Sequence, residues 1–310
     1  MSIAVDWPEG RKFAFTVFDD TDLATLENVM PVYRLLEDLG FRTTKSVWPV
    51  RGKERPAIGG ATCEDRQYLA WVKGLQRAGF EIGLHNVTYH SSLREETVRG
   101  ISRFEDLFGH PPNSLANHAE NREGIYWGED RLSGADRLLY RILTRGRRAG
   151  AFTGHTEGDP HFWGDICREK VRHVRNFVFP DVNTLAACPY MPYHDRQRPY
   201  VNAYFASSSG PDMASFNRLI SEKNQDRLEE EGGACIVYTH FAKGFSDGKA
   251  PDRRFRGLMS RLRKKNGWFV PVTELLDYLL DRRGLHEISE EERRRLQRKW
   301  LLSRLRTRGA

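Results

Sequence analysis

The sequence predicts an α/β protein built on a parallel sheet or barrel, and three observations carry that expectation. Three strand-then-helix units follow one another between Lys12 and Gly109, the alternation that generates parallel strands. The strands run out into acids, histidines and asparagines, whereas the helices stop at glycine. The chain has 310 residues, 39% hydrophobic and 11% aromatic, enough core for one α/β barrel or for two smaller domains.

Residues 12–22 read as a buried strand, because Phe13, Phe15, Val17 and Phe18 give it aromatic and β-branched content. It ends in Asp19, Asp20 and Asp22. Val32, Leu35, Leu36 and Leu39 then recur at helical spacing up to Gly40, with Pro31 acceptable in the first turn. Residues 41–47 form a second strand and 51–61 a loop. Residues 68–78 form a helix closed by Gly79. The third strand, 80–84, leads into His85-Asn86-Val87-Thr88-Tyr89-His90, and a helix over 95–108 stops at Gly109.

A strand over 113–117 opens onto His118-Ala119-Glu120-Asn121-Arg122-Glu123-Gly124. A helix holding 138–143 runs into the basic loop Arg145-Gly146-Arg147-Arg148. Residues 150–210 are the least regular, with strands near 174–179 and 200–206 joined by long loops of the kind that carry function. One long polar helix is expected over 213–231. An apolar strand over 234–239 ends at His240. A helix (255–262), a short strand (268–270) and a last packed helix (273–280) complete the body.

The expected organisation is one domain, 1–286, followed by a basic helical tail, 287–310. Ser289-Glu290-Glu291-Glu292 has the pattern of a capping box. Leu296, Trp300, Leu301, Leu302 and Leu305 spread around a helical wheel instead of forming one stripe. That spread favours packing through Trp300, or a homo-oligomer contact, over a lipid surface. The tail holds no candidate catalytic residue and is expected to be dispensable for chemistry.

The net charge of +7 is concentrated at the end of this tail. Residues 293–310 carry eight Arg or Lys and no acid, which leaves residues 1–292 at −1. A near-neutral body argues against nucleic acid as a partner. No apolar run approaches the ~20 residues of a membrane span. Residues 1–10 show neither a basic nor an apolar signal region. Cys63, Cys167, Cys188 and Cys235 are scattered and form no CxxC pair, as in a reducing cytoplasm.

Asp19-Asp20, His85 to His90, and His240 each end a strand, where α/β folds place their ligands. Asp and Thr also favour turns and helix caps, so the acidic stretch alone does not decide between a cap and a site. Together, one Asp and two His make a nitrogen and oxygen set suited to Zn2+ or a similar divalent ion that activates water. A second carboxylate beside it could accept the proton, and a further His could protonate a leaving group.

The order FDD (18–20), FEIGLH (80–85), IVYTH (236–240) and FVPVTELLDYLL (269–280) resembles that of the polysaccharide deacetylase, or NodB-homology, family over residues 12–280. The resemblance implies a distorted (β/α) barrel with fewer than eight regular units. It also implies metal-dependent removal of acetyl groups from N- or O-acetylated sugars. Asp19 then resembles the catalytic base, Asp20, His85 and His90 the metal ligands, and His240 the general acid. Tyr238 falls where the family lines its acetyl-methyl pocket. Asn117, His118 and Arg122 are candidate substrate-binding residues.

Three departures mark the chain as divergent. The histidines are five apart, not four. Five residues turn an ideal helix by about 500°, so the two rings could not share a helix face and a bulged loop must bring them together. Otherwise His118 replaces one of them. The family's Arg before a Pro, which steadies the base, has Leu115-Ala116-Asn117-His118 in its place, with Arg122 nearby. For the fourth motif, Asp181 or His173 could serve. The expected function is deacetylation of an acetylated carbohydrate, an intracellular precursor of a surface polysaccharide, with Zn2+ as cofactor. The alternatives are hydrolysis of a small amide or cyclic imide, or a sugar-binding barrel without turnover.

Overall fold

The computed structural model describes residues 5–147 and 149–308. Arg148 of the basic loop, residues 1–4 of the N-terminal stretch and residues 309–310 of the tail lie outside the described residues. Seven strands form a closed parallel barrel: β1 (Phe13–Asp19), β2 (Thr44–Val47), β3 (Glu81–Leu84), β4 (Ser114–Leu115), β5 (His173–Phe179), β7 (Ala203–Ser209) and β8 (Ala234–Thr239). They are hydrogen-bonded in that order, and pairing of β7 with β8 closes the ring. Outside it, β6 (Tyr193–His194) runs antiparallel to β7, β9 (Gly267–Trp268) pairs with β1, and β10 (His286–Glu287) pairs with β6.

Every residue of β1 is buried, as its Phe-rich sequence requires of a strand covered on both faces. It shares six register pairs with β8, from Ala14↔Ala234 to Asp19↔Thr239. The two strands therefore end level, which brings the segment after Asp19 beside His240. The β3–β4 seam is much shorter, with the single pair Leu84↔Leu115.

Helices wrap the barrel: α1 (Leu26–Asp38), α2 (Arg66–Arg77), α3 (Arg94–Phe108), α4 (Gly134–Leu143), α5 (Gly164–Lys170), α6 (Thr184–Ala187), α7 (Met213–Leu219), α8 (Glu222–Glu230), α9 (Arg253–Arg263), α10 (Val272–Arg283) and α11 (Glu290–Arg308). The expected stops at Gly40 and Gly109 hold, both with φ in the left-handed region, at 73° and 80°. Pro31 lies beyond the first turn, because Thr25 and Asn28 form a capping box that starts α1 at Leu26.

The helix expected over 213–231 is two. At Ser221 the backbone is extended (ψ 159°), and α8 starts afresh. The carbonyls freed by the break are taken by side chains: Asn224 Nδ2 donates to Leu219 O and Gln225 Nε2 to Ile220 O, each at 2.9 Å. Two local amides thus replace two helical bonds, which hydrophobic periodicity does not register. The strand expected near 200–206 is shifted to Ala203–Ser209.

In the tail, Ser289 and Glu292 form the reciprocal capping box: Ser289 N donates to Glu292 Oε2 at 2.9 Å and Glu292 N to Ser289 Oγ at 3.2 Å. Leu296, Trp300 and Leu301 are buried. Trp300 sits against Phe177 of β5 and Tyr140 of α4. The helix is therefore built onto the barrel wall.

Candidate metal centre and cavity

Asp22, His85 and His118 converge at the carboxyl ends of β1, β3 and β4, all buried, with their ligand atoms within 4.8 Å of one another. Asp22 Oδ1 lies 3.2 Å from His85 Nε2 and 3.3 Å from His118 Nε2. These three atoms have no hydrogen-bond partner. An orphaned buried polar atom is costly, and three of them facing one point form a site built for a cation.

The ring orientations fit that use. His85 Nδ1 donates to the Ala116 carbonyl at 2.8 Å, which leaves the Nε2 lone pair pointing inward. His118 Nδ1 faces Asn121 Oδ1 at 2.7 Å, and Asn121 Nδ2 donates to Thr88 O and Glu123 Oε1. Such outer hydrogen bonds fix the tautomer and raise the basicity of a ligating imidazole. Glu123 is fully buried and also accepts from Asn86 Nδ2 and Ser92 N. Burial pushes its carboxyl up to about 7, against hydrogen bonds that favour the charged form. Asn86, at φ 53°, spends its other amide atom on the His118 N–H, at 2.7 Å.

The three adjacent acids have three separate environments. Asp19, expected as the base, is the last residue of β1 and sits among protein groups. Its Oδ2 lies 3.0 Å from Lys45 Nζ and accepts the Tyr33 hydroxyl at 2.9 Å, while Oδ1 accepts the Phe241 N–H at 2.8 Å. Asp20, expected as a ligand, is gripped by Arg175 of β5 at 2.8 and 2.5 Å, with Oδ2 3.9 Å from His85 Nε2. Burial alone would raise the Asp20 carboxyl, but the Arg175 guanidinium and the nearby His85 bring it below its ordinary value. Asp22 is also held below the usual range, its burial outweighed by the imidazoles of His118, His240 and His85 beside it.

His90 is not in the cluster. Its Nδ1 turns to the Ser91 carbonyl at 2.7 Å, and its ring fills the space over Gly52. It is His118, not a bulged His90, whose Nε2 joins Asp22 and His85 in the cluster. His240 lies on the other side of Asp22, with Nε2 3.0 Å from Oδ2, while its Nδ1 donates to the Pro211 carbonyl at 2.7 Å.

A cavity of about 280 Å3 opens over this group. Asp20, Asp22, His85, Arg175 and His240 form its floor. Tyr238 forms a wall, with its ring under the Arg175 guanidinium at 4.5 Å. Asn117 borders the cavity, but its amide is spent on the backbone of Ile125, donating to O and accepting from N, so it shapes the loop. Arg122 is exposed and does not line the cavity. Neither do the fourth-motif candidates: Asp181 pairs with Arg227, and His173 with Asp277. The far wall holds Trp127, Arg131, Tyr140, Trp300 and Arg304. Trp300 and Arg304 belong to α11, so the tail expected to be dispensable borders the candidate site.

Sequence reading did not place Asp22 with His85 and His118, nor Arg175 and the far wall at the cavity. The available signal for Arg175 was an arginine in the middle of the apolar strand His173–Phe179, and for Asp19 a lysine, Lys45, within the strand 41–47. A buried cation needs a buried partner.

No protein-family model matches the chain, and no curated protein is similar to it in sequence. Among solved structures it is similar to a protein of Mycobacterium smegmatis assigned as a polysaccharide deacetylase, at a TM-score of 0.52 and 12% identity, over 93% of this chain and 97% of that one. It is also similar to an allantoinase, PuuE, at a TM-score of 0.50 and 11% identity, over 90% and 94% of the two chains. At these identities the likeness is one of fold: the chain has the (β/α) barrel of polysaccharide deacetylases.

Proposed function

We propose that this protein is a divergent polysaccharide deacetylase-type hydrolase that removes an acetyl group from an acylated sugar, with a divalent ion, zinc by the chemistry of its ligands, held by Asp22, His85 and His118. One observation carries the proposal: three buried ligand atoms with no other partner, set beside an arginine-held carboxylate and a third histidine. A divalent cation at that point supplies Lewis acidity toward an acyl oxygen and a water molecule.

The remaining work falls to the chain's own residues. Asp20 accepts the proton of the attacking water, and Arg175 fixes the carboxylate in place. His240 borders the cavity with Nδ1–H committed to Pro211 and Nε2 beside Asp22 Oδ2, a carboxylate oxygen that pairs with its imidazolium form, and from Nε2 it protonates the departing nitrogen or oxygen. Asp19 has a supporting part: by accepting the N–H of Phe241 it sets the turn that carries His240. Tyr238 closes the side of the cavity beside the reacting centre.

Release of acetate from a panel of N- and O-acetylated sugars by zinc-loaded protein, with a chelated control, tests the reading. Chelator-sensitive release is expected. Release of ammonia or ring opening from small amides and cyclic imides, with no acetate from any sugar, would overturn it in favour of an amidohydrolase. Tight sugar binding with no turnover of either kind would favour a binding barrel.

A further inference from the structure

Four arginines are buried among the described residues: Arg131, Arg175, Arg198 and Arg293. Three of them have a carboxylate partner, Arg175 in Asp20 and the other two in Asp195. For Arg131 no ion pair is found among the described residues, although it is only 8% exposed and lines the cavity. A buried cation with no counter-ion carries a large desolvation cost. Burial accordingly pushes its guanidinium down to about 10, still charged at neutral pH.

The way Arg131 is held shows which of its surfaces remain available. Its guanidinium lies 4.2 Å from the Trp127 ring centre and 4.3 Å from that of Trp300. With both indoles packed against it, the guanidinium meets a ligand through its N–H groups. Of its five N–H donors, Nε bonds Gly128 O at 3.1 Å and one terminal nitrogen reaches Asn176 O at a long 3.5 Å, with the Tyr140 hydroxyl beside it. A planar fork approached along its edge matches a carboxylate or phosphate, which it can engage through two parallel hydrogen bonds. Arg304 adds a second cation to the same wall, while the acids of the floor are already engaged by Arg175 and the histidines.

We infer that the cavity is built for an acetylated sugar carrying an anionic group, a carboxylate or a phosphate, which Arg131 binds at the α11 side while the acetyl group reaches the Asp22 centre. The inference rests on the deacetylase reading for the reaction, but not for the anion site. At about 280 Å3 the cavity lies just below the usual size of ligand pockets (roughly 300–1,000 Å3), which suits one acidic sugar unit better than a polymer chain.

The experiment has two arms. In the first, zinc-loaded protein is given N-acetylglucosamine, its uronic acid, its 1- and 6-phosphates and its nucleoside diphosphate ester. One or more of the acidic sugars should exceed the neutral one in kcat/KM by roughly 10- to 100-fold, as expected for a charge-assisted hydrogen bond in a buried site. Whether uronate or phosphate is preferred identifies the anion. Arg131→Met should erase that preference through KM with kcat little changed, Arg131→Lys should restore part of it, and the exposed Arg304→Gln should weaken it while leaving the fold intact. In the second arm, calorimetry with glucuronate, glucose 1-phosphate and glucose reads anion binding without any turnover. Wild type should bind one of the acids and not glucose, and Arg131→Met should bind none. Absence of acetate release with anion binding intact removes the deacetylase reading and keeps the anion site. Equal binding of glucose and both acids, or equal loss on neutral and acidic sugars in Arg131→Met, overturns the anion site and leaves Arg131 as a pin for α11.

Discussion

Asp19, Asp20 and Asp22 should fail in three different ways when each is changed to Asn. Asp19→Asn leaves the Lys45 charge buried without its partner, so the loss should appear as stability, about 3–5 kcal/mol in a urea titration. Asp20→Asn likewise leaves Arg175 buried without its partner and should cost stability of similar size, but below its lowered Tm it should hold metal while turnover falls ~10²-fold or more, as removal of a general base does. Asp22→Asn should lose the ion by elemental analysis, and activity with it. Identical profiles for the Asp20 and Asp22 variants would undo their separate assignments. The sequence displayed this acidic cluster plainly but not the division of labour within it. A one-residue step changes the partners completely. Those partners, Lys45, Tyr33, Arg175, His85 and His118, arrive from other elements, 14 to 155 residues away. His90 illustrates the same point: a histidine at nearly the right spacing fills a loop, while His118, weighed both as a substrate contact and as its replacement, faces Asp22 and His85.

At the scale of elements, the strands were legible because buried parallel strands are written as apolar runs, and residues 234–239 match β8 from end to end. The split between α7 and α8 was not, since amide side chains of Asn224 and Gln225 make it, at no cost to the polar pattern. The helix α11 was legible as a capped helix, yet its use was hidden. Its cations dominate the composition, and only the fold reveals that Trp300 meets Arg131 over the cavity. Trp300→Ala should destabilise the protein by about 3–5 kcal/mol, the usual cost of deleting a large buried aromatic ring. Removal of residues 290–310 should lower kcat/KM for the true substrate by more than 10-fold, as roughly 1.4 kcal/mol of lost wall contacts would suffice to do. A folded truncation with unchanged kcat/KM would return α11 to the status of an accessory.

For the molecule as a whole, the candidate ligands lie after β1, β3 and β4, so an ion held by them ties together three strands of one barrel. Binding to the folded chain alone must raise its stability by mass action. Zinc should therefore raise Tm for the wild type and for Asp20→Asn, and leave Asp22→Asn unmoved, in a calorimetric scan. The same arrangement determines where that stability is felt. The seam between β3 and β4 rests on one register pair, against six between β1 and β8, yet two of the three ligands flank it. An ion held there would act as a staple across the weakest joint of the ring. In hydrogen exchange, the amides of residues 114–125 should open first in stripped protein and gain the most protection on loading, while β1 and β8 exchange slowly in either state.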